Sequence, residues 1–278
     1  MRFFLIVSDA LPYLCALAFG SAVGSFLNVV IWRLPRGESI VHPGSHCPSC
    51  NAPILWFDNI PVLSYLYLRA RCRSCGGRIS VRYPLVEAGN ALLYAGLLGW
   101  LGLTWQLPVA AVFGSAMIAL ALIDLDHYIL PDSITLPGIA VGLATSALLR
   151  ERGWLDALIG AAGGAILLLV VLGAYYLVRK VEGMGLGDVK MLAMIGAFLG
   201  WKGMLVTVIL ASLLGAAVGL TLVLTGWKSE RAVEEGQGEG FGLALPFGTF
   251  LGAAALVSLF AGPMLVDWYA GLSGLGPE

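Results

Sequence analysis

Charge is sparse in this 278-residue chain: Asp, Glu, Lys and Arg make up 12% of it, while 59% of residues are hydrophobic. A soluble domain carries about twice that share of charge. A water-soluble globular fold is therefore excluded, and a mean hydropathy of +0.88 marks an integral membrane protein. The net charge of −1, with no basic patch of interleaved aromatics, implies no nucleic-acid partner. No glycine-rich loop follows a strand-like stretch, so the usual dinucleotide-type cofactor fold is absent. No convincing internal repeat is found, and the acids beside apolar runs sit at the ends of those runs. Both features weigh against a proton-coupled transporter, which would carry acids near mid-membrane.

What the chain does have is long apolar runs and 37 glycines, a composition suited to close helix packing in lipid. The first run, Leu11 to Trp32, follows only a thin basic Met1-Arg2 and precedes no small-residue cleavage site, so it is read as a retained helix. Runs of roughly bilayer-crossing length follow at Pro84 to Leu103, Leu107 to Ile123, Ile134 to Leu149, Leu155 to Val178, Met204 to Trp227 and Phe247 to Leu265. Met191 to Trp201 is shorter. Counting it, the expected fold is an all-α polytopic membrane protein of about eight transmembrane helices. Three regions follow: 1–32, a first transmembrane helix; 33–83, a small polar segment between helices 1 and 2; and 84–278, the remaining membrane domain.

Helix parity orients the chain. Two runs separate the polar segment Arg33 to Tyr83 from Asp124, and two more separate Asp124 from Asp188, so all three emerge on one face. That face carries Arg33, Arg36, Arg69, Arg71, Arg73, Arg78, Arg82, Arg179, Lys180, Lys190, Lys228 and Arg231, leaving only Arg2, Arg150, Arg152 and Lys202 opposite. By the positive-inside rule the shared face is cytoplasmic.

The polar segment holds four of the five cysteines. They stand as Cys47-Pro-Ser-Cys50 and Cys72-Arg-Ser-Cys75, with 21 residues between the pairs. Two C-x2-C knuckles at this spacing can wrap four thiolates around one tetrahedral zinc, and Gly76-Gly77 suits a tight turn after the second. Disulfides are the competing reading, disfavoured in a reducing cytoplasm. Four thiolates leave no open coordination position, so such a zinc is structural. His46 is read as a bystander, and Cys15, inside the first helix, as a small buried apolar residue.

Two acids stand out at the ends of apolar runs. Asp188 lies in Gly183-Met184-Gly185-Leu186-Gly187-Asp188-Val189-Lys190, where the glycines allow another helix or an extended peptide to approach closely. Asp124 opens Asp124-Leu125-Asp126-His127-Tyr128-Ile129-Leu130-Pro131-Asp132. Acids beside apolar spans mark functional sites, and two carboxylates brought close share one proton, the chemistry of aspartic proteases. Plainer readings stand beside this one. Asp188 suits an N-cap with Lys190 as a possible ion partner, Asp132 a cap of the helix after Pro131, and His127 a solvated loop residue.

Gly24-Ser25-Phe26-Leu27-Asn28, Cys47-x-x-Cys50, Asn59-Ile60-Pro61, Ser80-Val81-Arg82-Tyr83-Pro84-Leu85-Val86-Glu87, Asp124-Leu125-Asp126 before Leu130-Pro131-Asp132, and Gly185-Leu186-Gly187-Asp188 occur in this order. In this combination the chain resembles the type IV prepilin peptidases, a family similar to the GxGD intramembrane aspartyl proteases. The resemblance covers about Leu11 to Leu265 and implies that Asp124 and Asp188 are the catalytic pair. It further implies cleavage of the basic leader of type IV prepilins or type II secretion pseudopilins at the cytoplasmic side of the bacterial inner membrane, then N-methylation of the new terminus with S-adenosylmethionine. For the methyl donor, the zinc-bearing segment and the Gly24 to Asn28 region are expected to serve, with Asn28, Arg82 and Glu87 as candidates and helix packing as the competing reading. A proton-coupled membrane transporter or a zinc-bearing membrane scaffold is the alternative function, and the scaffold would not need Asp124 or Asp188. The stretch Lys228 to Gly242, rich in Glu and Gly, reads as a flexible cytoplasmic loop.

Overall fold

Apolar chain in lipid has no water to satisfy its backbone, so each run closes its hydrogen bonds within itself as a helix. The structure, a computed structural model, describes residues 2–146, 153–180, 185–225 and 245–272, and no strand occurs among them. Lys228 to Gly242, Arg150, Arg152 and the Gly183-Met184 pair lie outside the described residues. The helices are α1 (Arg2–Arg33), α2 (Leu63–Tyr67), α3 (Arg82–Leu101), α4 (Gln106–His127), α5 (Asp132–Thr145), α6 (Trp154–Arg179), α7 (Leu186–Leu224) and α8 (Phe247–Leu272). The chain divides into two compact units, Met1–Ala119 and Leu120–Glu278.

In the first unit α1 packs along α3 through small residues. A methyl group on Gly20 would lie 2.9 Å from the Ala91 Cα, and one on Gly24 would lie 2.7 Å from the Glu87 Cα, so backbones approach there in a way only glycine permits. A polar knot reinforces the contact. The fully buried Asn90 donates from Nδ2 to Gly20 O at 2.7 Å and accepts from Ser115 Oγ at 2.9 Å. Cys15, expected to be buried, is exposed. In a bilayer the outward face of a helix stays apolar without being covered by protein, so an apolar residue type does not imply internal burial.

In the second unit α7 is the central element, with α6, α8 and α5 packed on it. Gly160 and Gly196 meet backbone to backbone, such that a methyl on either would collide with the other's carbonyl group. Met191, Leu192, Ile195, Leu251, Ala254 and Ala255 are fully buried in this packing.

Among the described residues five helices are long and apolar enough to cross a membrane: Ala10–Arg36, Gln106–His127, Trp154–Val178, Leu186–Leu224 and Phe247–Leu272. The chain is thus a multi-pass membrane protein, with fewer such helices among the described residues than the eight expected. The difference arises at three places. The expected spans Met191 to Trp201 and Met204 to Trp227 form one helical element, Leu186–Leu224, broken at Gly200 (φ 70°, ψ 178°). The expected span Ile134 to Leu149 is a helix of 14 residues, about 21 Å long against a hydrocarbon core of about 30 Å. The 20-residue α3 begins with Arg82 and carries Glu87 and Asn90, and does not reach the hydropathy of the other five.

Candidate active site and metal centre

Both acids singled out in the sequence fall in the second unit, and the local fold explains how they come to be buried. Asp124 lies on the last turn of α4 and Asp188 on the first turn of α7, with α5 and α6 between them in the chain. Asp124 is 5% exposed and Asp188 9%. They stand close enough for the charge on Asp124 to act on Asp188.

Asp124 is held by the start of α8. Its Oδ2 accepts the Thr249 backbone N–H at 2.8 Å and stands 3.4 Å from Thr249 Oγ1, and the Gly248 backbone also reaches it. Thr249 Oγ1 donates in turn to Ala121 O at 3.0 Å, locking α8 to the last turns of α4. First-turn amides of a helix carry its positive dipole end, so this seat favours a carboxylate. A methyl on Gly248 would lie 2.8 Å from Asp124 Oδ2, which shows how tightly the backbone approaches. These two residues were not singled out in the sequence. The legible signal was Pro246-Phe247-Gly248-Thr249 at the head of an apolar run, where proline at a helix start and a glycine beside it mark a close backbone approach.

Asp188 is held differently. The N-cap of α7 is Gly185, not Asp188, and Asp188 donates its backbone N–H to Gly185 O at 3.2 Å. Among the described residues its Oδ1 is buried and has no hydrogen-bond partner. An orphaned buried oxygen is costly and calls for a functional explanation. Leu130, in the turn after α4, touches both sides of the site: a methyl on Gly187 would lie 2.9 Å from Leu130 Cβ, and one on Gly248 would lie 3.0 Å from Leu130 Cδ1. The turn itself is tight, with Tyr128 at φ 57° and its N–H donated to Asp124 O at 2.8 Å.

Three of the plainer readings of nearby residues are corrected. Lys190 pairs with Asp132 rather than Asp188, Nζ lying 2.6 and 2.8 Å from the two carboxylate oxygens. Asp132 is not the cap of α5: the cap position is Pro131, without a side-chain cap, and Asp132 sits in the first turn. The ion pair therefore joins the starts of α5 and α7. His127 is the last residue of α4 rather than a loop residue.

In the first unit the four cysteines converge, every pair of Sγ atoms lying within 4.8 Å and Cys47 Sγ 3.9 Å from Cys75 Sγ. Four thiolates at about 2.3 Å from a tetrahedral zinc stand about 3.8 Å apart, so the residues fit that ion. The two knuckles are built alike. Cys47 N donates to Ala52 O and Asn51 N to Cys47 O, just as Cys72 N donates to Gly77 O and Gly76 N to Cys72 O. Asn51 (φ 56°) matches Gly76 (φ 70°) in the left-handed position each turn needs. Backbone hydrogen bonds from Ser49 and Cys50 bring the Cys47 thiol down to about 6. At Cys50 a backbone hydrogen bond from Ala52 is outweighed by burial and the neighbouring thiols, which push it up to about 11, so Cys47 is the readier of the two to give the thiolate a metal requires. His46, with Nδ1 3.2 Å from Gly44 O, is not part of the cluster.

The residues expected to face a methyl donor are engaged by the chain itself. Asn28 Nδ2 donates to Tyr83 O at 3.2 Å, and Glu87 Oε2 accepts Val62 N–H at 2.7 Å. Arg82 opens α3, its backbone N–H 3.3 Å from Ser80 Oγ. Val62 has φ 61°, and Leu63 N–H donates to Pro61 O at 2.6 Å, closing a three-residue turn that the Glu87 carboxylate holds in place. Asn28 and Glu87 thus bind α1 and the 61–63 turn to α3.

Comparison with known proteins agrees with this division. Residues 18–100 match the model of the bacterial peptidase A24 N-terminal domain, and residues 111–220 match that of the type IV leader peptidase family. A prepilin leader peptidase/N-methyltransferase of Aeromonas hydrophila is 36% identical over 97% of this chain and 98% of its own. Its counterpart in Pseudomonas aeruginosa is 36% identical over 94% of each chain, and that of Myxococcus xanthus is 45% identical over 82% of this chain and 68% of its own. No solved structure matches.

Proposed function

Because the chain belongs to the type IV leader peptidase family, we propose that it cleaves the leader of type IV prepilins or type II secretion pseudopilins, with Asp124 and Asp188 as the catalytic pair. The observation that carries this is the pairing of two buried carboxylates with unlike surroundings, Asp124 seated on the α8 amides and Asp188 with an oxygen left free. In the working state the pair holds one proton. The ionised carboxylate takes a proton from water as the water oxygen attacks the scissile carbonyl, and the protonated one donates to the carbonyl oxygen. When the tetrahedral intermediate collapses, the C–N bond breaks and the leaving amine takes up a proton from the pair.

Eight membrane crossings are consistent with this reading if α1, α3, α4, α5, α6, α8 and the two halves of α7 about Gly200 each count once. Both acids then lie at the cytoplasmic side of the inner membrane, where a basic leader remains while the apolar part of the substrate lies in lipid. A zinc held by Cys47, Cys50, Cys72 and Cys75 supplies cross-links to a segment with little core of its own, and takes no part in hydrolysis. The relatives' names carry N-methylation as a second activity, and we extend it to this chain with S-adenosylmethionine as donor, assigning no residue to that step.

The test is cleavage of a purified prepilin in detergent, followed by mass spectrometry of the product's N-terminus. Asp124→Ala and Asp188→Ala are each expected to lower turnover by about a thousandfold or more, while the wild-type product gains the mass of one methyl group. Full cleavage by either single variant refutes the two-carboxylate mechanism; a cleaved but unmethylated product refutes only the second activity.

A further inference from the structure

The polar segment of the first unit carries an apolar surface that neither the acid site nor the cysteine cluster uses. On α2, Leu63, Leu66 and Tyr67 are 65, 65 and 77% exposed, while Ser64 on the opposite side is buried. Positions i, i+3 and i+4 share one face of a helix, so α2 turns an apolar face outward. The face continues beyond α2. The Tyr67 ring lies 6.0 Å from the Arg73 guanidinium, which lies 5.5 Å from the Phe57 ring, and Phe57 meets the 80% exposed Trp56 edge to face. Arg73 is fixed in this row by Asp58, with bonds of 2.7 and 2.6 Å.

Three features identify what covers this face. Trp and Tyr beside outward leucines are the residue types found where hydrocarbon gives way to headgroups. The surroundings are basic: Arg36, Arg69, Arg71 and Arg78 are exposed against Glu38, while Arg73 and Asp58 neutralise each other. Finally, the segment is bounded on both sides by helices of the same unit, α1 ending in Trp32-Arg33 and α3 beginning at Arg82. At the α1 end Arg36 already lies over the Trp32 ring at 3.7 Å, an aromatic and cation pairing typical of an interfacial anchor. A soluble partner would account for an apolar face but not for its place in a short segment held between two helices of the same unit.

We propose that Trp56, Phe57, Leu63, Leu66 and Tyr67, flanked by Arg69 and Arg71, form an interfacial anchor that lays the cysteine-bearing segment on the bilayer, with the apolar side chains at the headgroup boundary and these two arginines on anionic lipid. The anchor adds a lateral, composition-sensitive attachment to the helices that cross the membrane.

The full-length protein in nanodiscs of mixed anionic and zwitterionic phospholipid provides the test. The photoreactive residue p-benzoylphenylalanine replaces Leu66, with Leu92 on the outward face of α3 as a lipid-facing control and Ser74 as an exposed polar control. Leu66 is expected to give lipid adducts at a level near that of Leu92, and Ser74 few. In purely zwitterionic nanodiscs, or in an Arg69→Gln/Arg71→Gln variant with an unchanged unfolding midpoint, the Leu66 adduct is expected to fall by about fivefold or more. A Leu66 yield no higher than that of Ser74, or adducts formed only with added prepilin, overturns the proposal. An adduct yield indifferent to lipid charge and to both arginines overturns the electrostatic half of it.

Discussion

Gly248 leaves no room for a side chain because the Asp124 carboxylate occupies the space where one would stand, 2.8 Å from an added methyl. Gly248→Ala is therefore expected to displace Asp124 from the α8 amides and lower the turnover of prepilin cleavage by about tenfold or more, since a loss of about 1.4 kcal/mol in the transition state already costs that factor. Wild-type turnover in a folded variant would show that this seat does not position the acid. The paired acids also set a pH dependence. With one proton shared, activity is expected to fall at low pH as the pair gains a second proton and loses its base, and at high pH as it loses the last one and with it the acid. A rate that stays flat into the alkaline range would argue against a shared proton. Asp124 and Asp188 were legible as residues, because acids beside apolar runs are rare; their unlike environments were not, since Thr249 and the orphaned Asp188 oxygen are products of packing.

At the scale of elements, α7 depends on its glycines. Gly200, at φ 70° and ψ 178°, occupies backbone space that is essentially closed to other residues. Gly200→Ala is expected to lower stability by about 1–3 kcal/mol, seen as a lower unfolding midpoint in detergent. An unchanged midpoint would mean that the two halves of α7 can straighten without loss. The Asp132–Lys190 pair gives a contrasting case. Its side chains are 56 and 33% exposed, and an ion pair so open to solvent contributes little to stability, below about 1 kcal/mol. It nevertheless ties α5 to α7 two residues beyond Asp188. Lys190→Met is expected to leave the midpoint nearly unchanged while reducing kcat several-fold, and loss of stability without loss of kcat would assign the pair a purely structural part. Sequence spacing suggested Lys190 as a partner of Asp188 because the two are close in the chain, but a helix turns them away from one another and brings Asp132 within reach.

For the whole molecule, the cysteine cluster is the feature whose removal reaches furthest. The segment around it is short of internal apolar packing, with Trp56, Leu63, Leu66 and Tyr67 all facing outward, so its order rests on the two knuckles. Cys47→Ser is expected to reduce the yield of folded protein more than the rate of cleavage by the molecules that fold, as a closed tetrahedral site supports folding rather than chemistry. Metal analysis and thermal unfolding check this: a variant of normal stability with no proteolysis would contradict it. Brief treatment with EDTA is likewise expected to leave the chemical step intact.

Long uninterrupted apolar runs determined that this chain lives in a membrane as helices, because the polar backbone of such a run finds no water in lipid and closes its hydrogen bonds within the run. The spacing of Cys47, Cys50, Cys72 and Cys75 pointed to a four-sulfur cluster able to hold a metal, because two short turns suffice to gather the sulfurs. Tertiary structure alone decided how the apolar runs divide into helices, since the joining of two runs into one element broken at Gly200 is invisible in a hydropathy run. It also decided that Asp124 rests on the start of α8 while one oxygen of Asp188 has no hydrogen-bond partner among the described residues. Contacts between segments distant in the chain depend on how backbones pack, and one chain's sequence does not display that packing.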